Sequence, residues 1–215
     1  DWDWPGEVRF LALTPITHAS GAMIMPVLMK SGTYAMTKGF TPEKFVHLVE
    51  KHRITSTFLV PTMIYVLLDS PARQGADLSS LKLVIYGASP MSPTRLIDGM
   101  REFGPIFMQL YAQSEAPNTV TVLHQHEHDP INHPERLASC GTPCVGTQVR
   151  LLDDDGHEVA DGAVGEICVR GPLVMQGYWN KPEETAHALR HGWLYTGDMA
   201  RRDEHGYLYI VDRSK

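Results

Sequence analysis

Residues 81–90 read Leu81-Lys82-Leu83-Val84-Ile85-Tyr86-Gly87-Ala88-Ser89-Pro90. Six residues, apolar except for one Lys, run straight into a small-residue turn. A strand that is apolar on both faces is covered on both faces, as in a parallel sheet. The neighbours repeat the pattern. Upstream, Thr55 to Val60 is β-branched and aromatic and predicts a strand, and Pro61 to Leu68 follows as a helix. Downstream, Ser92-Pro93 opens a helix with Leu96, Ile97, Met100 and Phe103 on one side, and Ile106 to Tyr111 is the next strand. Further upstream, Thr41-Pro42-Glu43 combines a hydroxyl cap, a Pro at the first helical position and an early acid. It precedes Phe45, Leu48, Val49 and His52 at helical spacing. Val8 to Leu13 and Gly32 to Thr37 read as short strands, with an apolar helix over Ala19 to Lys30 between them. Strand and helix alternating in this rhythm imply βαβ units and a mostly parallel sheet flanked by helices.

After about Gln125 the texture changes. Asp153-Asp154-Asp155-Gly156 is a hairpin-type turn, Glu166 to Arg170 alternates polar and apolar, and Tyr207 to Val211 is a closing strand. One helix is expected, Pro182 to Arg190. The predicted fold is therefore α/β over residues 1–130, followed by a small, mainly β, barrel-like subdomain over 131–215.

Composition narrows the function. The chain has 215 residues, 43% of them apolar, 20% charged, and a formal net charge of −6. This balance argues against a nucleic-acid binder. No apolar run approaches the roughly 20 residues of a membrane-spanning helix. Three Cys do not make a disulfide framework, so a cytoplasmic setting is the default. The P-loop (GxxxxGK followed by Ser or Thr), GxGxxG, GxSxG and HExxH are absent, which removes P-loop NTPases, dinucleotide dehydrogenases, α/β-hydrolases and zinc proteases. The chain opens at Asp1 and closes on Asp212-Arg213-Ser214-Lys215, directly after an apolar run, which reads as a segment of a longer protein.

In open α/β sheets ligands bind beyond the carboxyl ends of the strands. Gly87, Ala88 and Ser89 leave room for a flat ring against the backbone; the plainer reading is a tight strand-to-helix turn. Tyr111-Ala112-Gln113-Ser114-Glu115 brings together an aromatic, a hydroxyl and a carboxylate suited to Mg2+; the plainer reading is a helix start. Asp198, in Tyr195-Thr196-Gly197-Asp198, is an acceptor for a ribose diol, or else a turn residue. His124, His126 and His128 alternate and could hold a metal, but the polar surroundings favour a solvated loop. Met23, Met25, Met29 and Met36 read as core gap-fillers.

Together, in order and spacing, these segments resemble the adenylate-forming superfamily of acyl-CoA synthetases, luciferases and peptide-synthetase adenylation domains. The resemblance covers essentially the whole chain. Pro15-Ile16-Thr17-His18-Ala19-Ser20-Gly21 is similar to its Pro-aromatic-His segment, with Ile16 in place of the aromatic. Tyr86 to Pro90 is similar to its adenine-pocket loop. Tyr111 to Glu115 is similar to YGxTE, with Ala112 for Gly and Ser114 for Thr. Gly165-Glu166 through Gly171, with Gly177-Tyr178 and Thr185, is similar to its GEI-RGP-GY motif. Tyr195 to Asp198 is similar to YTGD, and Asp212 to Lys215 to DRxK.

The resemblance implies a ligase that joins a carboxylic acid to the α-phosphate of ATP and passes the acyl group to CoA, with Mg2+ as the metal. By carry-over, His18 lies near the acyl carboxylate and Glu115 binds Mg2+, both counted as catalytic. Gly87, Ala88, Ser89 and Tyr111 line the adenine site, Ser114 contacts phosphate, Asp198 and Arg213 hold the ribose, and Lys215 is the hinge. The implied partners are the acid, ATP and CoA, with no nucleic acid and no integral membrane segment. A homodimer stays open. The family's phosphate loop belongs before this segment and its Lys-bearing domain after it, so both N-terminal and C-terminal parts are expected to be missing and the segment alone to be inactive. Ala19 to Met29 holds no acid that could pair with a substrate amine, which favours an apolar acid, such as a fatty acid, over an amino acid. The alternatives are an adenylation domain that loads a carrier protein and a non-catalytic nucleotide-binding piece.

Overall fold

The computed structural model describes residues 2–213. Asp1, Ser214 and the expected hinge Lys215 lie outside the described residues. The chain forms two units, one of residues 2–109 and 124–138, the other of residues 110–123 and 139 onward.

The first unit is built as β1 (Arg9–Ala12), α1 (Ala19–Ala22), α2 (Ile24–Met29), β2 (Thr33–Met36), α3 (Pro42–His52), β3 (Ser56–Leu59), α4 (Pro61–Asp69), β4 (Leu83–Gly87), α5 (Pro93–Phe103) and the start of β5 (Phe107–Gln113). The strands lie in the order β2-β1-β3-β4-β5. β1–β2, β1–β3 and β3–β4 are parallel, with Phe10 opposite Ser56 and Leu59 opposite Tyr86. Every residue of β3 and β4 is buried, and β4 accordingly reads as an unbroken apolar run. One core joins Leu11, Phe45, Val49, Leu59, Ile64, Leu67, Tyr86, Leu96 and Phe107. Thr41 caps α3 as its sequence foretold, its side chain accepting from the Lys44 N–H at 3.2 Å. The inward face of α3 is Phe45, Val46 and Val49, with Leu48 partly buried, while His52 is exposed.

Two expectations change here. The helix foreseen over 19–30 is two short helices, α1 and α2, meeting at Met23. Pro26 has no N–H to give to the carbonyl four residues back, so a continuous helix fails at that point. The methionines are also not uniformly core: Met23 is buried, but Met25, Met29 and Met36 are exposed.

The second unit contains the end of β5, then β6 (Ala116–Leu123), β7 (Thr142–Pro143), β8 (Gln148–Leu152), β9 (Gly165–Arg170), α6 (Pro182–Ala188), β10 (Leu189–Arg190), β11 (Trp193–Arg202) and β12 (Leu208–Arg213). β7 lies antiparallel on β6. The order β10-β11-β9-β8, with β12 also on β11, forms a curled antiparallel sheet. The expected Asp-rich turn joins β8 to the next segment, with the Asp153 N–H donating to the His157 carbonyl at 2.9 Å. α6 stops two residues early because Leu189 and Arg190 pair with β11 instead. The core of this unit includes Ala116, Val120, Ile167, Val169, Leu194, Ala200 and Leu208. No helix of the described residues is long and apolar enough to cross a membrane.

Candidate nucleotide site

The polar centre of the second unit is a break in a strand. β11 is ten residues long, and its pairing with β9 slips between Tyr195 and Met199. Gly197 sits at φ +77° within the slip, a backbone state that glycine reaches without a Cβ penalty. Side chains replace the lost ladder bonds. Thr196 Oγ1 donates to the Ile167 carbonyl at 2.8 Å, and Glu166 Oε1 accepts from the Gly197 N–H at 2.6 Å.

The bulge carries Asp198, which is 6% exposed. Its Oδ2 accepts from the Tyr111 hydroxyl at 2.7 Å and from Gln113 Nε2 at 2.6 Å. Its Oδ1 lies 2.9 Å from Arg213 Nε on β12. Gln113 Nε2 also lies 3.0 Å from the Thr196 carbonyl. Tyr111 and Gln113 are two apart on β5, hence on one side of the strand. Burial, and then the adjacent Asp198 charge, push the Tyr111 hydroxyl well above its ordinary range, so it stays a donor at neutral pH. A carboxylate has about four lone-pair positions, and three donors already use this one.

Ser114 and Glu115 form the two-residue turn between β5 and β6. The plainer sequence reading, a helix start, does not hold, because β6 follows at once. Ser114 is exposed and Glu115 half-buried. Glu115 Oε1 accepts from the Tyr178 hydroxyl at 2.6 Å. That bond, followed by burial, pushes Tyr178 up to about 12.

The first unit carries the other sequence-selected residues. Gly87 ends β4 and is buried, while Ala88 and Ser89 are exposed. Ala88 holds φ +68°, a left-handed state costly for a residue with a Cβ. Behind this loop, Tyr86 is fully buried, its hydroxyl 3.0 Å from His128 Nε2. His128 Nδ1 lies 2.7 Å from the His124 carbonyl. His128 is therefore not in a solvated loop, and burial lowers its pKa to about 4. His18 is exposed at the N-cap of α1. Its loop is tightly drawn: a Cβ on Gly21 would lie 1.8 Å from the Ile16 carbonyl oxygen. Thr14 Oγ1 meets Ser20 Oγ at 2.5 Å, and the Tyr34 hydroxyl donates to the Ser20 carbonyl at 2.6 Å.

The structure thus brings Tyr111, Asp198 and Arg213 together, adjoining the turn that carries Ser114 and Glu115. His18, Gly87, Ala88 and Ser89 lie in the other unit. Sequence reasoning quoted Gln113, Thr196, Glu166 and Tyr178 within these motifs but assigned them no role. Gln113 could have been found from its i, i+2 relation to Tyr111. The partners of Thr196 and Glu166 follow only from the bulge.

The profile of the family described as AMP-binding enzyme matches residues 2–179, and the chain belongs to that family. It is 49% identical over 215 residues to the medium/long-chain-fatty-acid–CoA ligase FadD8 of Mycobacterium tuberculosis, covering 100% of this chain and 37% of that protein. It is 39% identical to a feruloyl-CoA synthase of Amycolatopsis, covering 99% of this chain and 43% of that one. Among solved structures, the amide bond synthetase McbA of Marinactinospora thermotolerans superposes with a TM-score of 0.93 at 36% identity, over 100% of this chain and 42% of McbA. The o-succinylbenzoate coenzyme A synthetase of Bacillus subtilis, solved with AMP, gives 0.84 at 25% identity, over 98% of this chain and 42% of that one. The chain thus spans about two fifths of the length of these relatives.

Proposed function

We propose that this chain supplies nucleotide-holding residues of an ATP-dependent acid–thiol ligase. Such an enzyme activates an apolar carboxylic acid as its acyl-adenylate and transfers the acyl group to CoA. The observation that carries this reading is the buried Asp198 carboxylate, set in a strand bulge with Tyr111, Gln113 and Arg213 on it. A ribose diol takes the remaining acceptor position and competes with the Gln113 and Arg213 donors. Tyr111 offers its ring to the adenine, and Ser114 offers a hydroxyl to a phosphate oxygen. On the first unit, Gly87, Ala88 and Ser89 offer a small-residue loop to a flat ring, with Ala88 in the left-handed state. His18 serves the reacting carboxylate and α-phosphate.

The Glu115 carboxylate suits Mg2+, a hard cation that takes few protein oxygens and shares its shell with phosphates. One of its oxygens is committed to Tyr178 and the other is free of hydrogen bonds among the described residues. When bound, the cation supplies charge neutralisation on the phosphates. The rest is positioning: bringing the acid oxygen and the α-phosphorus together contributes more than any covalent step by the protein.

An apolar acid fits the lack of any acid over 19–29. The names of the ligases it resembles, fatty-acid and feruloyl, point the same way. Calorimetric titration of the chain with AMP tests the site: binding that D198A abolishes supports it, and binding that D198A leaves unchanged removes it. Mass spectrometry of products from the enzyme carrying these residues tests the substrate. Acyl-CoA from apolar acids is expected, and loading of an amino acid onto a carrier protein would overturn the choice.

A further inference from the structure

Glu115 stands on a two-residue turn, where a long acidic side chain has several rotamers open to it. Fixing such a side chain costs rotamer freedom. In this structure one segment holds Glu115 twice, once by its backbone and once by its side chain. The Met175 N–H donates to the Glu115 carbonyl oxygen at 2.7 Å. Three residues on, the Tyr178 hydroxyl donates to Glu115 Oε1 at 2.6 Å.

Tyr178 is itself anchored. It lies between β9 and α6, outside any helix or strand. Its backbone N–H donates to Thr185 Oγ1 at 2.9 Å, and the Thr185 hydroxyl donates onward to the Lys181 carbonyl at 2.7 Å. A chain of hydrogen bonds therefore runs from the first turn of α6, through Thr185 and Tyr178, to one carboxylate oxygen.

The choice of donor matters. A Lys or Arg in this place would cancel the charge that a cation needs. A phenol donates a hydrogen bond while leaving the full negative charge on the carboxylate. Among the described residues no Lys or Arg pairs with Glu115. The free Oε2 is left to a ligand.

We infer that Tyr178 is a positioning residue for a divalent cation: it holds Glu115 Oε1 so that Oε2 faces the cation shared with the nucleotide phosphate. This rests on the reading of Glu115 as the cation carboxylate. Outer hydrogen bonds to a ligating group typically set metal affinity by 10–100-fold, and a single neutral donor belongs at the lower end of that range.

The test uses Mn2+ as the probe, titrated by electron paramagnetic resonance into the chain with saturating AMP. Y178F keeps the ring and removes the donor, and is expected to bind Mn2+ about tenfold more weakly. Its AMP affinity without metal stays unchanged, and its melting temperature confirms folding. T185V loosens the Tyr178 backbone and is expected to give a smaller loss, about threefold on the same scale. E115Q is expected to lose the Mn2+ site. Wild-type Mn2+ affinity in Y178F, with loss in E115Q, overturns the positioning role alone. An equal loss of metal-free AMP binding in Y178F reduces Tyr178 to a loop staple and also overturns it. No Mn2+ binding by the wild-type chain, or none lost in E115Q, overturns the cation reading and the inference with it.

Discussion

At the end of β4, the first unit offers mainly backbone: a buried Gly87, then exposed Ala88 and Ser89, with the apolar body of Tyr86 behind them. At the bulge of β11, the second unit offers a buried carboxylate held by three side chains. The contrast follows from sheet type. A parallel strand covered on both faces has little room for charge along its length, so its chemistry is confined to its end. An antiparallel strand can be bulged in the middle, and the bulge turns a polar residue inward while neighbouring side chains satisfy the broken ladder. The first unit is thus held chiefly by apolar packing and close backbone approach. The second depends on a closed polar network around its site.

The most severe test of this contrast is D198A. It removes the shared acceptor and strands the Tyr111 hydroxyl and the Gln113 amide, at about 1–3 kcal/mol for each unsatisfied buried group. A loss of about 2–4 kcal/mol in urea unfolding is expected. A loss near zero would mean that the network is not needed for stability and that the difference between the units is only topological.

The second test uses a buried polar pair behind the end of β4, Tyr86 with His128. His128 has a folded pKa of about 4 against an ordinary 6.5, because burial disfavours its charged form. Between these values the unfolded chain binds more protons than the folded one. The contribution of the neutral ring is therefore fully present above pH 6.5 and is lost as pH falls towards 4, by on the order of 2–3 kcal/mol. Stability measured from pH 7 to 4 should show this slope in the wild type, and H128Q should flatten it. An identical slope in both would mean that other groups carry the acid sensitivity.

G21A probes the backbone approach behind His18. The added Cβ would fall 1.8 Å from the Ile16 carbonyl oxygen, so the loop must move. A cost of about 1–3 kcal/mol is expected from overpacking. Chemical-shift changes in a nuclear magnetic resonance spectrum should centre on residues 14–22, and changes confined elsewhere would break the argument. The smallest effect is that of T41A, which removes the α3 cap. About 1 kcal/mol is expected by thermal unfolding.

The parallel half was legible because its physical causes are local. Apolar runs, a Thr-Pro-Glu helix start and a Gly-Ala-Ser turn each carry their own instruction, and β3, β4, α3, α4 and α5 stand within a few residues of expectation. The misreading of 19–30 as one helix weighed apolar periodicity over Pro26. In the site, residue types were readable and partnerships were not. The plainer reading of Asp198, a turn residue, fails because it lies within a ten-residue strand. His128 looked solvated because Glu127, Asp129 and Pro130 surround it, yet its ring points the other way, to Tyr86.

The sequence by itself determined the alternation of elements, the strand ends and the inventory of acid, hydroxyl and aromatic groups, because these depend on neighbours a few residues away. Only the tertiary structure decided that residues 110–123 join residues 139 onward, that Asp198 meets Tyr111 and Gln113 across more than 80 residues, and that Tyr178 holds Glu115 across 63. The Asp198 contacts depend on strand register and on the irregular pairing of β11. A register is the sum of many weak pairings along a sheet, and no single stretch of the chain encodes it.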